Sequence, residues 1–321
     1  MKVSHQLTIC ISPLMFYVDW QNFIEFIEIW AQLGLELLYV YWTSISVQVQ
    51  QLFALYDDLT ELNEWSDLPD QQSINLIIYG QLVSYHDCLL RNKFTSTYTG
   101  LIDLDEIFWV RDSNLSIPGF LDSLPNHLAA FTIHSFYAYP NWNRTATKVR
   151  LSDLNLKHWQ QFEYTNVTQS PWKHIVRPRH VNKVQVHWVI EMEPFHGTRE
   201  IRVEEGLLLH ARRPVRPASR LATQPFTEMK HLAIRAEQAW QVRLSTHRSL
   251  LNATWPIEAF NLFQSIDACN LRMYRSPECW SFARHVDDCF RCKYKVEDLR
   301  HRTFVTPNVT SWTVVNAELV I

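Results

Sequence analysis

The first 110 residues alternate short apolar runs with longer stretches of helical period, and that alternation limits the fold more than any other feature. "QLTICISPL" is an apolar run stopped by Pro13 and reads as a buried strand. In "DWQNFIEFIEIWAQLG" Asp19 can cap a helix, Phe23, Phe26, Ile27, Trp30 and Leu33 recur on one face, and Gly34 ends it. "LELLYVYW" is a second strand, "SVQVQQLFALYDDL" a helix begun at Ser46, "ELNEWSDLP" a weaker strand, "GQLVSYHDCLLRNKF" a third helix and "TGLIDLDEIFWV" a fourth strand. Strands separated by helices of this length pair in parallel, so the pattern predicts an α/β fold: a mostly parallel, Rossmann-like sheet with helices on both faces. Ligands on such sheets sit at the carboxyl ends of the strands.

Beyond residue 110 the pattern loosens. Pro118, Pro125, Pro140 and Pro171 fall in expected loops between short strands such as "LAAFTIHSFYAY". "KVQVHWVIEM" alternates, which predicts one strand with Val184, Val186, Trp188 and Ile190 on a common face. "VEEGLLLHARR" reads as a strand and "MKHLAIRAEQAWQVRLS" as a late helix. No linker divides the 321 residues, so one domain is expected over 1–321.

A net charge of −3 and a pI near 6.5 exclude an ordinary nucleic-acid binder. "LTICISPLMFYV" is too short to span a membrane, and Glu25, Glu28 and Glu36 mark the next apolar region as amphipathic. No signal peptide is evident after Met1. Sequons at Asn114, Asn143, Asn166, Asn252 and Asn308 point to the secretory pathway. So do six cysteines, of which Cys269, Cys279, Cys289 and Cys292 cluster late; "CFRC" also permits a zinc reading, but the spacings fit disulfides better. Cys10 and Cys88 lie in core elements as buried thiols or a further bridge.

The fourth predicted strand carries Asp103, Asp105 and Glu106 inside an apolar run. Burying carboxylates costs several kcal/mol (roughly) unless they are paired. With side chains alternating, Asp103 and Asp105 share one side and Glu106 takes the other with Leu104. At a strand's carboxyl end two aspartates can offer hard oxygens to Mg²⁺ or Mn²⁺, which leaves further positions to a substrate diphosphate. A covalent phosphotransfer role is disfavoured, because that chemistry wants the motif on the first strand.

"YGQLVSYHDCLLRNK" followed by "DLDEI" resembles glycosyltransferase family 92, the nematode-type DUF23 domain. "ICISPLMFYVDWQNFIEFIEIWAQLGLELLYVYWTSIS", then Tyr56, Trp65, Leu68 and Pro69, and later "KHIVRPRHVNKVQVHWV" and "LLLHARRP" extend the resemblance over roughly residues 8–215. The resemblance implies a GT-A fold and a metal-dependent, inverting hexosyltransferase. That enzyme would move galactose from UDP-galactose, with Mn²⁺ or Mg²⁺, onto a glycan or glycoprotein acceptor. It further implies a Golgi membrane protein of type II, whose anchor this chain does not contain. Residues 1–110 would be the nucleotide-sugar half, 111–260 the acceptor and catalytic half, and 261–321 a cysteine-bearing tail. The chain departs from the family at Phe108, Trp109 and Val110, where a proline is usual, at His86, and at Ala211 after His210. A catalytically inactive, lectin-like or scaffold protein on the same fold is therefore the second reading.

Within that frame Asp103 and Asp105 are the expected metal and diphosphate residues, with Asp105 nearer the strand end. Asp87 would contact the donor's sugar or uridine, or else pair with Arg91 four residues on. Lys173 and Arg177, expected to bracket a loop, would hold phosphate oxygens or form a solvated basic face. His187 and His210, expected on strands, would complete the metal shell or be structural. Glu191 and Glu193 are the carboxylates expected for a general base. Ser12 and Pro13 should lie near the uracil pocket. Trp109 and Trp142 would stack on sugar or pack in the core.

Overall fold

The computed structural model describes residues 3–15, 17–65, 80–112, 114–140, 148–165, 169–211, 222–256, 303–306 and 313–316. Strand β1 (His5–Cys10) lies between β2 (Leu37–Trp42) and β4 (Ser96–Leu101), parallel to both, and β2 pairs in parallel with β3 (Thr60–Glu64). Helix α1 (Trp20–Gln32) joins β1 to β2; the Asp19 carboxylate accepts from Asn22 N–H at its start. Gly34 follows it at φ 106°, where an added Cβ would meet Pro118 Cδ at 3.0 Å. Helix α2 (Val47–Phe53) is capped by Ser46, and α3 (Gln81–Asn92) leads into β4. This is the alternation read from the sequence.

Helices cover both faces of these strands because successive side chains point opposite ways. Leu7 and Ile9 pack in one core with Phe23, Phe26 and Trp30 of α1. Cys10 and Tyr39 pack in a second core with Tyr85, Cys88 and Leu89 of α3. Cys10 and Cys88 are joined by a disulfide across this second interface, with Cα atoms 6.1 Å apart. The four late cysteines lie outside the described residues.

Beyond β4 the sheet becomes mixed. Strand β8 (Gln169–Val176) is antiparallel to β4 and to the long β6 (Leu128–Tyr139). Strands β7 (Phe162–Thr165) and β13 (Thr223–Phe226) extend that side, giving the order β13-β7-β6-β8-β4-β1-β2-β3. Along its other edge β6 pairs in parallel with β11 (Gly197–Glu200) and β12 (Gly206–Ala211). Helix α4 (Ile117–Asp122) takes Pro118 into its first turn, where a missing N–H does no harm, and Pro171 falls inside β8; neither is in a loop.

Two sequence expectations about strands change. The run "TGLIDLDEIFWV" is two strands: β4 ends at Leu101, and β5 (Glu106–Val110) starts after a turn and pairs antiparallel with β12. The run "KVQVHWVIEM" is a hairpin of β9 (Val181–Val184) and β10 (Val189–Met192). Val181, Val184, Val189 and Met192 face the second core, while Trp188 and Ile190 are left exposed.

The acidic side of α1 is also buried. Glu25 accepts from Trp159 Nε1–H at 3.0 Å and lies 3.0 Å from His158 Nε2. Glu28 accepts from the Tyr56 hydroxyl at 2.8 Å, and Arg243 of α5 (Lys230–Thr246) lies 3.5 Å away. Burial pushes the Glu28 carboxyl up to about 7 against those two partners. Among the described residues no helix is long and apolar enough to cross a membrane.

Candidate functional site

At the end of β4 the backbone leaves the sheet. Ile102 N–H still bonds to Cys10 C=O at 3.2 Å, and Glu106 N–H then closes a turn onto Asp103 C=O at 3.0 Å. The Glu106 carboxylate turns back to accept from Asp103 N–H at 2.9 Å. Asn22 of α1 holds the turn by donating to Leu104 C=O, and Ala211 N–H bonds to Asp105 C=O. In this turn the side chains do not alternate. Asp103, Asp105 and Glu106 converge at the carboxyl ends of β1 and β4, so the assignment of Glu106 to the opposite side is corrected.

Asp103 is surrounded by donors. Its Oδ1 accepts from Ser12 Oγ at 2.7 Å, Gln81 Nε2 at 3.2 Å and Tyr85 OH at 3.3 Å, and its Oδ2 from Lys173 Nζ at 2.6 Å. Gln81 also donates to Ser12 Oγ. Gly80, at φ 78°, starts α3 so that Gln81 and Tyr85, one turn apart, both reach Asp103.

Lys173 lies within β8 rather than beside a loop. It is fully buried, and its ammonium also lies 3.6 Å from Glu106 Oε2. Burial alone would lower its pKa; Asp103 and Glu106 reverse this and hold it well above the usual lysine range. Burial likewise pushes Asp103 up, but the Lys173 charge and the hydrogen bonds from Lys173 and Ser12 bring it below the usual carboxylate range. Glu106 is pushed up to about 7 by burial, against the attraction of Lys173.

Asp105 differs from Asp103. Its carboxylate is 41% exposed, and its Oδ2 lies 3.0 Å from His210 Nε2. His210 stands on β12 with Nδ1 3.8 Å from Glu106 Oε1 and its ring edge-on to Tyr137.

The remaining expected residues divide. Ser12 joins the cluster. His187 sits in the tip of the β9–β10 hairpin, not on a strand; burial, then Lys173 and His210, lower its pKa, against the Trp172 carbonyl and the Asp103 carboxylate, which raise it. Arg177 is turned inward: it donates to the carbonyls of Pro125, Asn126 and Leu128 and to Tyr98 OH, and stacks over Tyr98 and Phe131. Those bonds fix a turn and leave the guanidinium committed to the protein. Asp87 accepts from Arg91 Nε at 2.7 Å and from Tyr41 OH at 2.6 Å, which is the i,i+4 pair. Glu193 lies 3.9 Å from Lys93, and Glu191 is exposed opposite Lys183; no hydrogen bond or ion pair described here links either to the cluster. Trp109 is a core residue whose indole donates to Glu228. Trp142 lies outside the described residues. Gln81 and Tyr85 are additions to the expected set, for which the i,i+4 spacing in "GQLVSYHD" is the available signal; Glu106, expected on the other side with at most a part in shaping the site, joins them.

Among the described residues no three His, Cys, Asp or Glu side chains form a ready-made metal cage. The Asp105–His210 pair nonetheless fits a divalent cation. Its 3.0 Å separation is that of adjacent ligands on an octahedral ion with bonds of about 2.1 Å. Such ions keep most positions for water and phosphate oxygens.

Fold and site together define the class: an α/β protein with an acidic, partly exposed cluster at the carboxyl ends of parallel strands, where such sheets bind ligands. Known proteins give the family: the profile of glycosyltransferase family 92 matches residues 5–249, and the chain belongs to that family. Two glycosyltransferase family 92 proteins of Caenorhabditis elegans are similar to it. The first is 26% identical over 204 residues, covering 57% of this chain and 38% of the relative. The second is 21% identical over 228 residues, covering 65% of this chain and 42% of the relative. The chain thus spans about two fifths of the length of these relatives.

Proposed function

We propose that this chain carries the donor site of a metal-dependent glycosyltransferase of GT-A type, which moves a hexose from a nucleotide diphosphate sugar onto a glycan acceptor. The observation that carries this reading is the contrast within the turn: Asp103 is saturated by four donors, while Asp105 and His210 face each other at the partly open side. Asp105 and His210 would hold Mn²⁺ or Mg²⁺, which when bound neutralises a diphosphate and the charge that grows on it as it leaves. Asp103 holds the turn in place through Ser12, Gln81, Tyr85 and Lys173. In the transfer, an acceptor hydroxyl oxygen bonds to the anomeric carbon, the bond to the diphosphate oxygen breaks, and the hydroxyl proton passes to a base. UDP-galactose as donor, inversion, and a lumenal Golgi setting with a membrane anchor are the finer parts of the proposal. They rest on family membership together with the exposed sequons Asn114 and Asn252 and the Cys10–Cys88 bridge.

Thermal unfolding with UDP or UDP-galactose, with and without MnCl₂, tests the reading. Ligand at one hundred times its Kd stabilises by about 2.7 kcal/mol, or about 5 °C for a chain of this size. Asp105→Asn should abolish the Mn²⁺-dependent rise and leave the unliganded Tm unchanged, since this carboxylate is 41% exposed. A wild-type Tm indifferent to UDP and Mn²⁺, or a variant that keeps the full rise, sinks the donor site.

One observation favours a second reading, a binding or scaffold protein: Lys173 already supplies Asp103 and Glu106 with a cation from within the chain. UDP and Mn²⁺ binding without transfer to any glycan would support it.

A further inference from the structure

Resting on the proposed donor site, we propose that the indole of Trp188 is the platform on which a hexopyranose of the acceptor glycan stacks. The residue belongs to the tip of the β9–β10 hairpin, and the tip is fastened at one place. His187 Nδ1 lies 3.0 Å from Trp172 C=O, so that nitrogen carries the proton and donates. His174 Nε2 likewise donates to His187 C=O at 2.8 Å. Trp172 and His174 are the two chain neighbours of Lys173, whose ammonium holds Asp103. The tip is therefore bonded to both sides of the lysine that organises the cluster, and Trp188 is the next residue along. Gln185 N–H bonds to Trp188 C=O at 2.6 Å, closing the tip and fixing the backbone from which the indole projects. His187 feels the charges of Lys173 and His210, which lower its pKa after burial, and of Asp103, which raises it, in agreement with a tip close to the cluster.

On so well-fastened a tip, an indole left 55% exposed beside Ile190 at 48% is unusual, since most tryptophans among the described residues are buried. The inward side of the hairpin, Val181, Val184, Val189 and Met192, already completes the second core, so folding does not require Trp188. A pyranose ring presents a face of C–H groups and a rim of hydroxyls. An exposed indole, one residue from the His187 that fastens the tip beside Lys173, suits the first and leaves the second free for polar partners. A rigid aromatic with two side-chain torsions also loses little freedom when it is covered.

The test uses the whole chain as wild type, Trp188→Phe and Trp188→Ala, with methyl glycosides of galactose, glucose and N-acetylglucosamine as probes. Binding is read by saturation-transfer NMR without donor, and transfer kinetics follow with UDP-galactose and Mn²⁺. Trp188→Ala should lose the saturation-transfer signal and raise the acceptor KM at least tenfold with kcat changed less. Trp188→Phe should fall between the two. The Tm and the UDP–Mn²⁺ thermal shift should match wild type in both variants. Equal NMR signals in wild type and Trp188→Ala overturn the platform while leaving the donor site standing. A wild-type self-association that vanishes in Trp188→Ala also overturns it, by showing a second copy of the chain on this surface. If UDP and Mn²⁺ do not shift the wild-type Tm, the donor reading fails, and the NMR comparison still decides whether Trp188 binds sugar.

Discussion

Replacing Lys173 by Met separates the electrostatics of the cluster from its shape. The ammonium lies 2.6 Å from Asp103 Oδ2 and 3.6 Å from Glu106 Oε2. With an effective dielectric constant of about 20 these distances correspond to attractions of about 6 and about 5 kcal/mol. Solvent at the Asp103 carboxylate, which is 33% exposed, reduces the first figure, and desolvation of the buried charges opposes both. The net worth of the triad is thus small, but its loss is not symmetric. Without the lysine, Glu106 at 1% exposure keeps its desolvation penalty and its repulsion from Asp103, and loses the cation that offset them. Lys173→Met should therefore destabilise the fold by about 3–5 kcal/mol at pH 7.5, the range for breaking a buried pair from one side. Adding Glu106→Gln to Lys173→Met replaces a buried carboxyl that must otherwise take up a proton and should recover about 1–3 kcal/mol, a coupling that a double-mutant cycle isolates. Urea unfolding followed by far-UV circular dichroism gives all four free energies. A loss under about 1 kcal/mol for Lys173→Met, or additive single effects, would refute the view that Lys173 neutralises this turn.

The Cys10–Cys88 bridge closes a loop with a sequence separation of 78, for which chain entropy gives about 4.5 kcal/mol; the Cys10→Ala, Cys88→Ala double variant should lose up to that amount in urea titrations. Glu28 makes stability depend on pH. Its carboxyl is raised from 4.5 to about 7 in the folded chain, so between those values the native state holds a proton the unfolded state has released. Stability should fall by about 3 kcal/mol as pH rises through that window and then level off. Glu28→Gln should remove this component; identical wild-type and variant slopes between pH 5 and pH 7 would exclude it.

The parallel half of the fold was legible because each element there carries its own local signal. Asp19 and Ser46 cap helices, Gly34 stops one, and the apolar face of α1 repeats at helical spacing. The places where the reading failed share a cause. "TGLIDLDEIFWV" contains no proline or asparagine to announce a turn, and the chain breaks there because β5 must leave β4 to pair with β12. "KVQVHWVIEM" folds back with no glycine or proline, because both arms keep the alternation that lets one side of the hairpin face the core. Glu25 and Glu28 read only as the polar side of an amphipathic helix because their partners, His158 and Trp159 for one, Tyr56 and Arg243 for the other, are distant in sequence. Long-range pairing is what a periodicity does not encode.

The same limit explains the site. Three carboxylates within four residues are a local feature, and their density predicts that something must neutralise them. Which cation does so is a question of topology: Lys173 is 70 residues from Asp103 and reaches it because β8 runs antiparallel to β4. Once Lys173, Ser12, Gln81 and Tyr85 have taken the four approaches to Asp103, that residue has little capacity left for a ligand. Asp105, carried outward by the turn, is instead partly exposed and paired with His210. An Asp-x-Asp on a regular strand would have given two equivalent carboxylates on one side. The break in the strand makes them unequal, one surrounded by donors that hold the backbone and one more exposed beside His210, and that inequality is why, under the proposed donor site, Asp105→Asn and not Asp103→Asn is the variant to separate ligand binding from folding.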